Sequence, residues 1–323
     1  MSEGGLGRLF EEITAPLVSG GRLPGFAGAT GWINSPPLGE EDLRGRVVLV
    51  DFWTYTCINW LRTLGYVRAW AERYADHGLL VVGVHTPEFP FEGDADNVRR
   101  AVGELNVTYP VALDPDYAVW NAFANRYWPA AYVADARGRI RHHQFGEGGY
   151  EECERAIQRF LREAGGEDVP DGYVSVPGAG LELQADWEHL GSPETYVNVS
   201  PRPAKPHDLE LNQWTLLGDW RTRARASVLE RAGGGIAFRF HARDVNLVLG
   251  PAEDDAAPIP FRVTLDGEPP GDAHGLDVDA EGRGEVTEER LYQLLRRPAP
   301  IVDATVEIDF DAPGVGAYVF TFG

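Results

Sequence analysis

Residues 47–57, VVLVDFWTYTC, decide the fold of this 323-residue chain. The first seven of them form an almost continuous apolar run, which is typical of a parallel β-strand covered on both faces. Apolar residues then recur at helical spacing, at Leu61, Leu64 and Val67. Cys57 therefore lies where a buried strand passes into a helix, and the sequence predicts an α/β sheet.

The alternation of strands and helices continues outward from this stretch. Residues 79–84 form a second apolar run, and residues 94–105 have the pattern of an amphipathic helix. The turn sequence at 135–138 predicts a hairpin, and residues 151–163 predict a last helix that stops at two glycines. We therefore predict a mixed α/β domain over residues 1–166.

The second half of the chain has a different pattern of apolar and turn residues. Residues 167–190 resemble a linker, and short alternating runs separated by Gly and Pro follow it, for example at 236–241, 245–249 and 304–310. Many short strands with such turns are typical of a β-sandwich or jelly roll. We predict an all-β jelly-roll sandwich over residues 191–323.

The charge balance excludes several partners. The chain has 50 acidic and 29 basic residues, and its net charge of −21 lies mostly in the second half. Such a charge repels phosphate backbones and anionic lipids, so we expect no nucleic-acid partner. No apolar run approaches the roughly 18 residues of a membrane helix, so no membrane span is expected. Residues 1–24 lack a basic start and an apolar core, which predicts a cytoplasmic location. An exported origin stays open if the sequence has been trimmed.

Two cysteines, Cys57 and Cys153, exclude a disulfide scaffold and a Cys-rich zinc site. A thiol at a helix N-terminus tends towards the thiolate, so Cys57 is a candidate nucleophile. The alternative is an inert, packed cysteine. Cys153 is flanked by acidic residues at 151, 152 and 154, which should raise its pKa, so we favour a helix residue without a redox role.

The residues around Cys57 resemble those of a known family. Residues 50–53, Val-Asp-Phe-Trp, followed by Cys57 resemble the thioredoxin active-site strand. Residues 24–165 resemble TlpA-like redoxins, and the resemblance is closest to the C-terminal region of DipZ-type cytochrome c biogenesis proteins. The stretches that carry it are 47–59, 83–89 and 125–130, with 192–196, 238–244 and 317–323 in the second half.

This resemblance implies a thioredoxin-fold thiol–disulfide oxidoreductase followed by a sandwich similar to a carbohydrate-binding module. It implies that Cys57 is the nucleophile, that Asp51 relays protons and that Pro129 is a substrate-orienting cis-proline. We expect no cofactor.

The family's Cys-x-x-Cys motif is altered here. It reads Cys57-Ile58-Asn59-Trp60, so Trp60 caps the place of the resolving thiol. Because Trp60 cannot attack a mixed disulfide, Cys57 must be resolved by an external thiol, by Cys153, or not at all.

Two alternatives stay open. A thioredoxin fold with one cysteine can be a peroxidase, in which peroxide oxidises the thiolate to sulfenic acid. Thr54 matches the Thr-x-x-Cys half of the peroxiredoxin motif, and Glu88 and Trp128 fall where glutathione peroxidases place a Gln and a Trp. The substrate would be a thiol, a disulfide or a peroxide. The other alternative is a non-catalytic protein whose sandwich binds a neutral glycan or a partner chain.

Two further patterns in the second half could indicate binding sites, but we favour a structural role for both. Trp187, Trp214, Trp220 and Tyr292 are candidates for stacking on sugar rings, but core packing is the commoner fate of such residues. Residues 277–288 imitate a calcium loop, yet no helix leads into it, so an acidic turn is favoured. The histidines show no zinc spacing.

Overall fold

A computed structural model describes residues 21–199, 201, 203–253 and 257–323. The described chain divides into two compact units. The first comprises the described residues up to Thr54 with Thr63–Val176, and the second comprises Tyr55–Arg62 with Pro177–Gly323. The domain limits predicted at residues 166 and 191 stay a prediction. The predicted lack of a targeting segment concerns residues 1–24, most of which lie outside the described residues.

The α/β part of the chain contains one mixed sheet. Its strands are β1 (Gly31–Ile33), β2 (Val47–Trp53), β3 (Leu79–His85), β4 (Val111–Leu113), β5 (Ala130–Ala134) and β6 (Ile140–Phe145). Its α-helices are α1 (Glu40–Leu43), α2 (Ile58–Tyr74), α3 (Ala95–Glu104), α4 (Ala118–Ala122) and α5 (Tyr150–Glu163). Short 3-10 helices in the whole described chain lie at Ala75–His77, Pro90–Gly93, Gly180–Glu182, Pro206–Asp208 and Gly271–Ala273.

The strand order explains why β2 and β3 are almost wholly apolar. The order is β1-β4-β3-β2-β5-β6, which places β2 and β3 at the centre of the sheet. β2 runs parallel to β3 and antiparallel to β5. Every residue of β2 and β3 is buried, as expected for strands with both faces covered.

One predicted helix is shorter than its sequence pattern. The pattern extended over residues 117–125, whereas α4 covers Ala118–Ala122. Tyr117 and Ala124 have φ angles of 59° and 51°, in the left-handed region that a right-handed helix cannot continue through. Backbone geometry at these two residues therefore sets both ends of the helix.

The second half of the described chain forms antiparallel sheets. Its strands are β7 (Thr195–Tyr196), β8 (Trp214–Leu217), β9 (Trp220–Thr222), β10 (Ser227–Leu229), β11 (Gly234–Phe240), β12 (Asp244–Pro251), β13 (Ile259–Leu265), β14 (Arg283–Val286), β15 (Arg290–Arg296), β16 (Ala304–Phe310) and β17 (Val315–Phe322). One sheet has the order β15-β12-β17-β10-β9, with β7 beside β17, and the other has the order β14-β13-β16-β11-β8.

A shared apolar core joins these two sheets. Phe238 and Phe240 of β11 pack in one cluster with Phe320 and Phe322 of β17, on the other sheet. Alternate residues of each strand fill this core, which is the packing of a β-sandwich. The predicted fold class, an α/β fold with a mixed sheet followed by a β-sandwich, is confirmed.

A row of buried polar side chains crosses three strands of the first sandwich sheet. Asn246 of β12 stands opposite Gln293 of β15 and opposite Thr321 of β17. All three are at most 6% exposed. Among the described residues, the Asn246 Oδ1, both polar side-chain atoms of Gln293 and the Thr321 Oγ1 have no hydrogen-bond partner. A buried polar atom without a partner costs about 1–3 kcal/mol.

We therefore expect Thr321→Val to raise the free energy of unfolding by about 1 kcal/mol, because valine has the same shape without the hydroxyl. Urea denaturation measures this change. Thr215→Val is the matched control, since the buried Thr215 hydroxyl accepts a hydrogen bond from the Ala204 N–H at 3.3 Å. The control should lose stability. A loss of similar size in Thr321→Val would show that its hydroxyl is bonded to water.

Candidate active site

Cys57 stands at the start of α2. β2 ends at Trp53, the chain passes through four residues of which Cys57 is the last, and the helix begins at Ile58. The Leu61 N–H donates to the Cys57 carbonyl at 3.0 Å, which is the first hydrogen bond of the helix. Cys57 is in no disulfide bond and is partly exposed. The unpaired N–H groups and the dipole of a helix N-terminus favour a thiolate at this position.

Trp60 is fully buried in the first turn of α2, with 0% of its surface exposed. It occupies the last position of the Cys-x-x-Cys spacing. Cys57 therefore has no second thiol on its own helix.

Asp51 and Pro129 lie on neighbouring parts of the central sheet. Asp51, in the middle of β2, is 0% exposed and stands opposite Ala131 of β5. Pro129 directly precedes β5, its bond with Trp128 is cis, and its carbonyl accepts a hydrogen bond from the Gly146 N–H at 2.8 Å. Both residues line a cavity of about 20 Å³.

Thr54 follows β2 directly and is fully buried. Its hydroxyl lies 3.5 Å from the Nε2 atom of His85, the last residue of β3. The His85 ring also packs edge-on against Trp53, with ring centroids 4.7 Å apart. Burial lowers the pKa of His85 to about 3, so its imidazole is neutral at physiological pH.

Sequence reasoning missed His85 because it considered the histidines only as zinc ligands. A usable signal was present, since His85 ends a buried strand. The parallel register of β2 and β3 pairs His85 with Trp53, and this places it beside the segment that leads to Cys57.

The neutral state of His85 predicts acid sensitivity. The unfolded chain takes up a proton below about pH 6.5, whereas the folded chain does so only near pH 3. The free energy of unfolding therefore falls as the pH falls through this window, and we expect a loss of about 2 kcal/mol between pH 7 and pH 5. Urea denaturation at the two pH values measures it.

The variant His85→Gln should lack this part of the acid loss, because an amide takes up no proton in this range. The exposed His207 offers the matched control His207→Gln, which should keep the wild-type pH dependence. An equal pH dependence in wild type and His85→Gln would contradict the assignment.

Glu88 and Trp128 lie on two loops that one hydrogen bond joins. The Trp128 indole N–H donates to the Thr86 carbonyl at 3.0 Å, and the Trp128 ring packs on Trp120 with centroids 4.2 Å apart. Glu88, two residues beyond Thr86, donates its backbone N–H to the buried Glu92 carboxylate at 2.7 Å. The structure thus brings the Glu88 and Trp128 loops together.

Cys153 is buried in α5, with 2% of its surface exposed. Burial raises the pKa of its thiol most, and the negative charges of Asp51 and Glu154 raise it further. Cys153 therefore stays protonated at neutral pH. The sequence analysis also predicted a raised pKa for Cys153, but from its neighbouring carboxylates, whereas burial is the main cause in the structure.

The aromatic candidates of the sandwich have separate fates. Tyr292 is 0% exposed, and its hydroxyl accepts the N–H groups of Thr287 and Glu288, so it cannot stack on a sugar. Trp214 and Trp220 are half-buried against the core, while Trp187 is 59% exposed.

Two acidic groups of the candidate calcium loop are engaged within the protein. Asp277 pairs with Arg290 at 2.8 Å, and Asp279 accepts the Arg283 N–H at 2.7 Å. Within the described ranges, no group of three or more His, Cys, Asp or Glu side chains is arranged to hold a metal ion. These two aspartates are held by the Arg290 side chain and by the Arg283 backbone, as expected for an acidic turn.

Comparisons with known proteins agree with this architecture. Residues 36–156 match the Redoxin family, and residues 184–323 match the family described as thioredoxin-like C-terminal domain. Protein DipZ of Mycobacterium bovis is 37% identical over 254 residues, which cover 73% of this chain and 36% of DipZ. The thiol-disulfide oxidoreductase YkuV of Bacillus subtilis is 31% identical over 141 residues, which cover 44% of this chain and 95% of YkuV. The solution structure of a thioredoxin-like protein in its oxidized form is 32% identical and covers 45% of this chain and 97% of that one, with a TM-score of 0.41.

The chain belongs to the thioredoxin-like redoxin family, as its sequence resemblance predicted. It spans about a third of the length of DipZ. No helix in the described part of the chain is both long and apolar enough to cross a bilayer.

Proposed function

We propose that this protein is a redoxin-class thiol–disulfide oxidoreductase that acts through Cys57 alone, with an external thiol as the resolving group. One contrast carries the proposal. Cys57 is partly exposed at the N-terminus of a 17-residue helix, whereas Cys153 is buried and held protonated. Because the thiolate is the attacking form, only Cys57 is suited to exchange.

The reaction has two exchange steps. The Cys57 thiolate attacks a disulfide, a new S–S bond forms to Cys57, the old S–S bond breaks, and the leaving thiolate takes a proton. An external thiolate then attacks the mixed disulfide at the substrate sulfur. A new disulfide leaves, and the Cys57 thiolate is regenerated with no net change in its oxidation state.

Other residues have assisting roles in this proposal. Asp51 moves protons during exchange, and Pro129 orients the substrate backbone. Trp60 fills the place of the resolving thiol, so the enzyme depends on a partner thiol, either a small molecule or a protein.

The test exposes wild type and Cys153→Ser to a small disulfide and, separately, to hydrogen peroxide, and follows thiol state by intact mass. We expect a mixed disulfide at Cys57 that forms faster than with a free thiol and that added thiol releases. A Cys57 that reacts no faster than a free thiol with either reagent would overturn catalysis. That outcome would leave the protein a binding protein.

A one-cysteine peroxidase is the second candidate. Its support is the buried Thr54 three residues before Cys57, next to neutral His85, together with the joined Glu88 and Trp128 loops. Here the Cys57 thiolate attacks the peroxide, the O–O bond breaks, and sulfenic acid and an alcohol or water result. Two external thiols then reduce the sulfenic acid and leave as a disulfide, with water released. Faster sulfenic acid formation than mixed disulfide formation would favour this candidate.

A further inference from the structure

A small cavity is lined in part by the buried Asp51. Its volume is about 20 Å³, and its lining includes Trp70 of α2 and Cys153 of α5. Asp51, Trp70 and Cys153 are each at most 2% exposed. A water molecule needs about 10–15 Å³ measured in this way, so the cavity has room for one.

Trp70 supplies a hydrogen-bond donor that needs a partner. Within the described ranges, its buried indole N–H has none. An indole N–H can only donate, and burying it unpaired costs about 1–3 kcal/mol. A water oxygen in the cavity can accept this hydrogen bond, and its own protons can then be donated to a carboxylate. Asp51 is the carboxylate in the lining.

Cys153 completes this site as a neutral group. Burial, Asp51 and Glu154 all raise the pKa of its thiol, so it carries no charge near neutral pH. A protonated thiol is small and only a weak hydrogen-bond donor. It therefore occupies space without supplying its neighbours with the hydrogen bonds that water would donate. Its size therefore limits the cavity to one water molecule.

We propose that Cys153 is a positioning residue that, together with Trp70, holds a single water molecule against Asp51. The inference rests on the proposed function, in which Asp51 moves protons for Cys57. In this scheme Cys153 is neither oxidised nor reduced, and it is not the resolving thiol. It sets how well the Asp51 carboxylate is hydrated.

The titration of Asp51 is interpreted against the titratable and polar groups that surround it. Tyr109 is buried, and both its burial and the charge of Asp51 raise its pKa well above the usual value, against a smaller opposite effect of Arg68. Tyr150 and the neutral Thr63 and Gln144 also line the cavity. On α5, the Glu154 carboxylate accepts the Tyr74 hydroxyl at 2.6 Å. Neither Tyr109 nor Cys153 loses its proton near neutral pH.

Two substitutions of Cys153 should move Asp51 in opposite directions. Cys153→Val fills the cavity with a methyl group and expels the water, which favours the neutral carboxyl and raises the pH at which Asp51 titrates. Cys153→Ser introduces a stronger donor, which favours the carboxylate and lowers that pH. We expect shifts of at least about half a pH unit each way. Carbon-13 NMR of the full chain measures them on the Asp51 carboxyl resonance, assigned by comparison with Asp51→Asn.

The matched control is Ile157→Val, one turn further along α5, which trims a buried side chain away from the cavity lining. The Asp51 titration should stay within about 0.2 pH units of wild type in this control. Shifts in the same direction, or no shift, in the two Cys153 variants would overturn the proposal. If the valine variant does not fold, an unchanged or raised titration in Cys153→Ser overturns it alone. Because the signal comes from Asp51 itself, this result is independent of whether Cys57 exchanges disulfides.

Discussion

Cys57→Ser should abolish disulfide exchange by this protein, while Cys153→Ser should still exchange disulfides. A serine hydroxyl does not ionise near neutral pH, so the attacking group at the start of α2 disappears. The remaining thiol cannot replace it, because Cys153 is 2% exposed and its pKa is strongly raised. We expect the exchange rates of the two variants to differ by at least about 100-fold. The rate depends on the fraction of the thiol that is ionised and on how accessible that thiolate is to the disulfide.

The measurement is the initial rate of thiol release from a small chromophoric disulfide under native conditions. Denaturant provides an internal check, because unfolding exposes Cys153 and should let Cys57→Ser react as an ordinary free thiol. Comparable native rates for Cys57→Ser and wild type would show that Cys57 is not the nucleophile.

The sequence was most informative where one stretch fixes both the fold and the site. The apolar run of β2 is a central strand, and the order of residues after it places Cys57 at the helix start. The proline before β5 is in the cis form that the family resemblance implied. The strand and the helix start are local in the chain, so periodicity and motif spacing can predict them, whereas the cis-proline was implied only by the resemblance.

Features that depend on contacts between residues far apart in the sequence could not be predicted in this way. Asp51 and Cys153 are about a hundred residues apart, and only the packing of α5 on the sheet puts them in one cavity. His85 needed the register of β2 and β3. Tyr292 and Trp187 are both aromatic residues of the second half, yet one is buried and the other is 59% exposed. Composition alone does not separate such fates, because large aromatic residues serve in cores and at binding surfaces.

Trp60→Cys should give Cys57 an internal resolving thiol. Residues three apart in the first turn of a helix have Cβ atoms about 5–6 Å apart, and their Cα spacing lies within the range that a disulfide spans. The second thiol is then held beside the mixed disulfide, so its attack no longer depends on the concentration of external thiol. We expect release of the mixed disulfide at least about 100-fold faster than in wild type when no free thiol is present.

The same substitution should lower stability, because Trp60 is fully buried. Replacing a buried tryptophan by a small residue costs about 3–5 kcal/mol. Trp60→Ser is therefore the matched control, since it opens the same cavity without adding a thiol. Each protein is loaded with a small disulfide, freed of reagent and followed by intact mass, with circular dichroism to verify folding.

Wild type and Trp60→Ser should keep the adduct, and Trp60→Cys should lose it and end about 2 Da below its reduced mass, as expected for an internal disulfide. A folded Trp60→Cys protein that keeps the adduct as long as Trp60→Ser would contradict the placement of Cys57 at the exchange site. Rapid loss in Trp60→Cys alone would show that the tryptophan at this position is what makes the wild-type protein depend on an outside thiol.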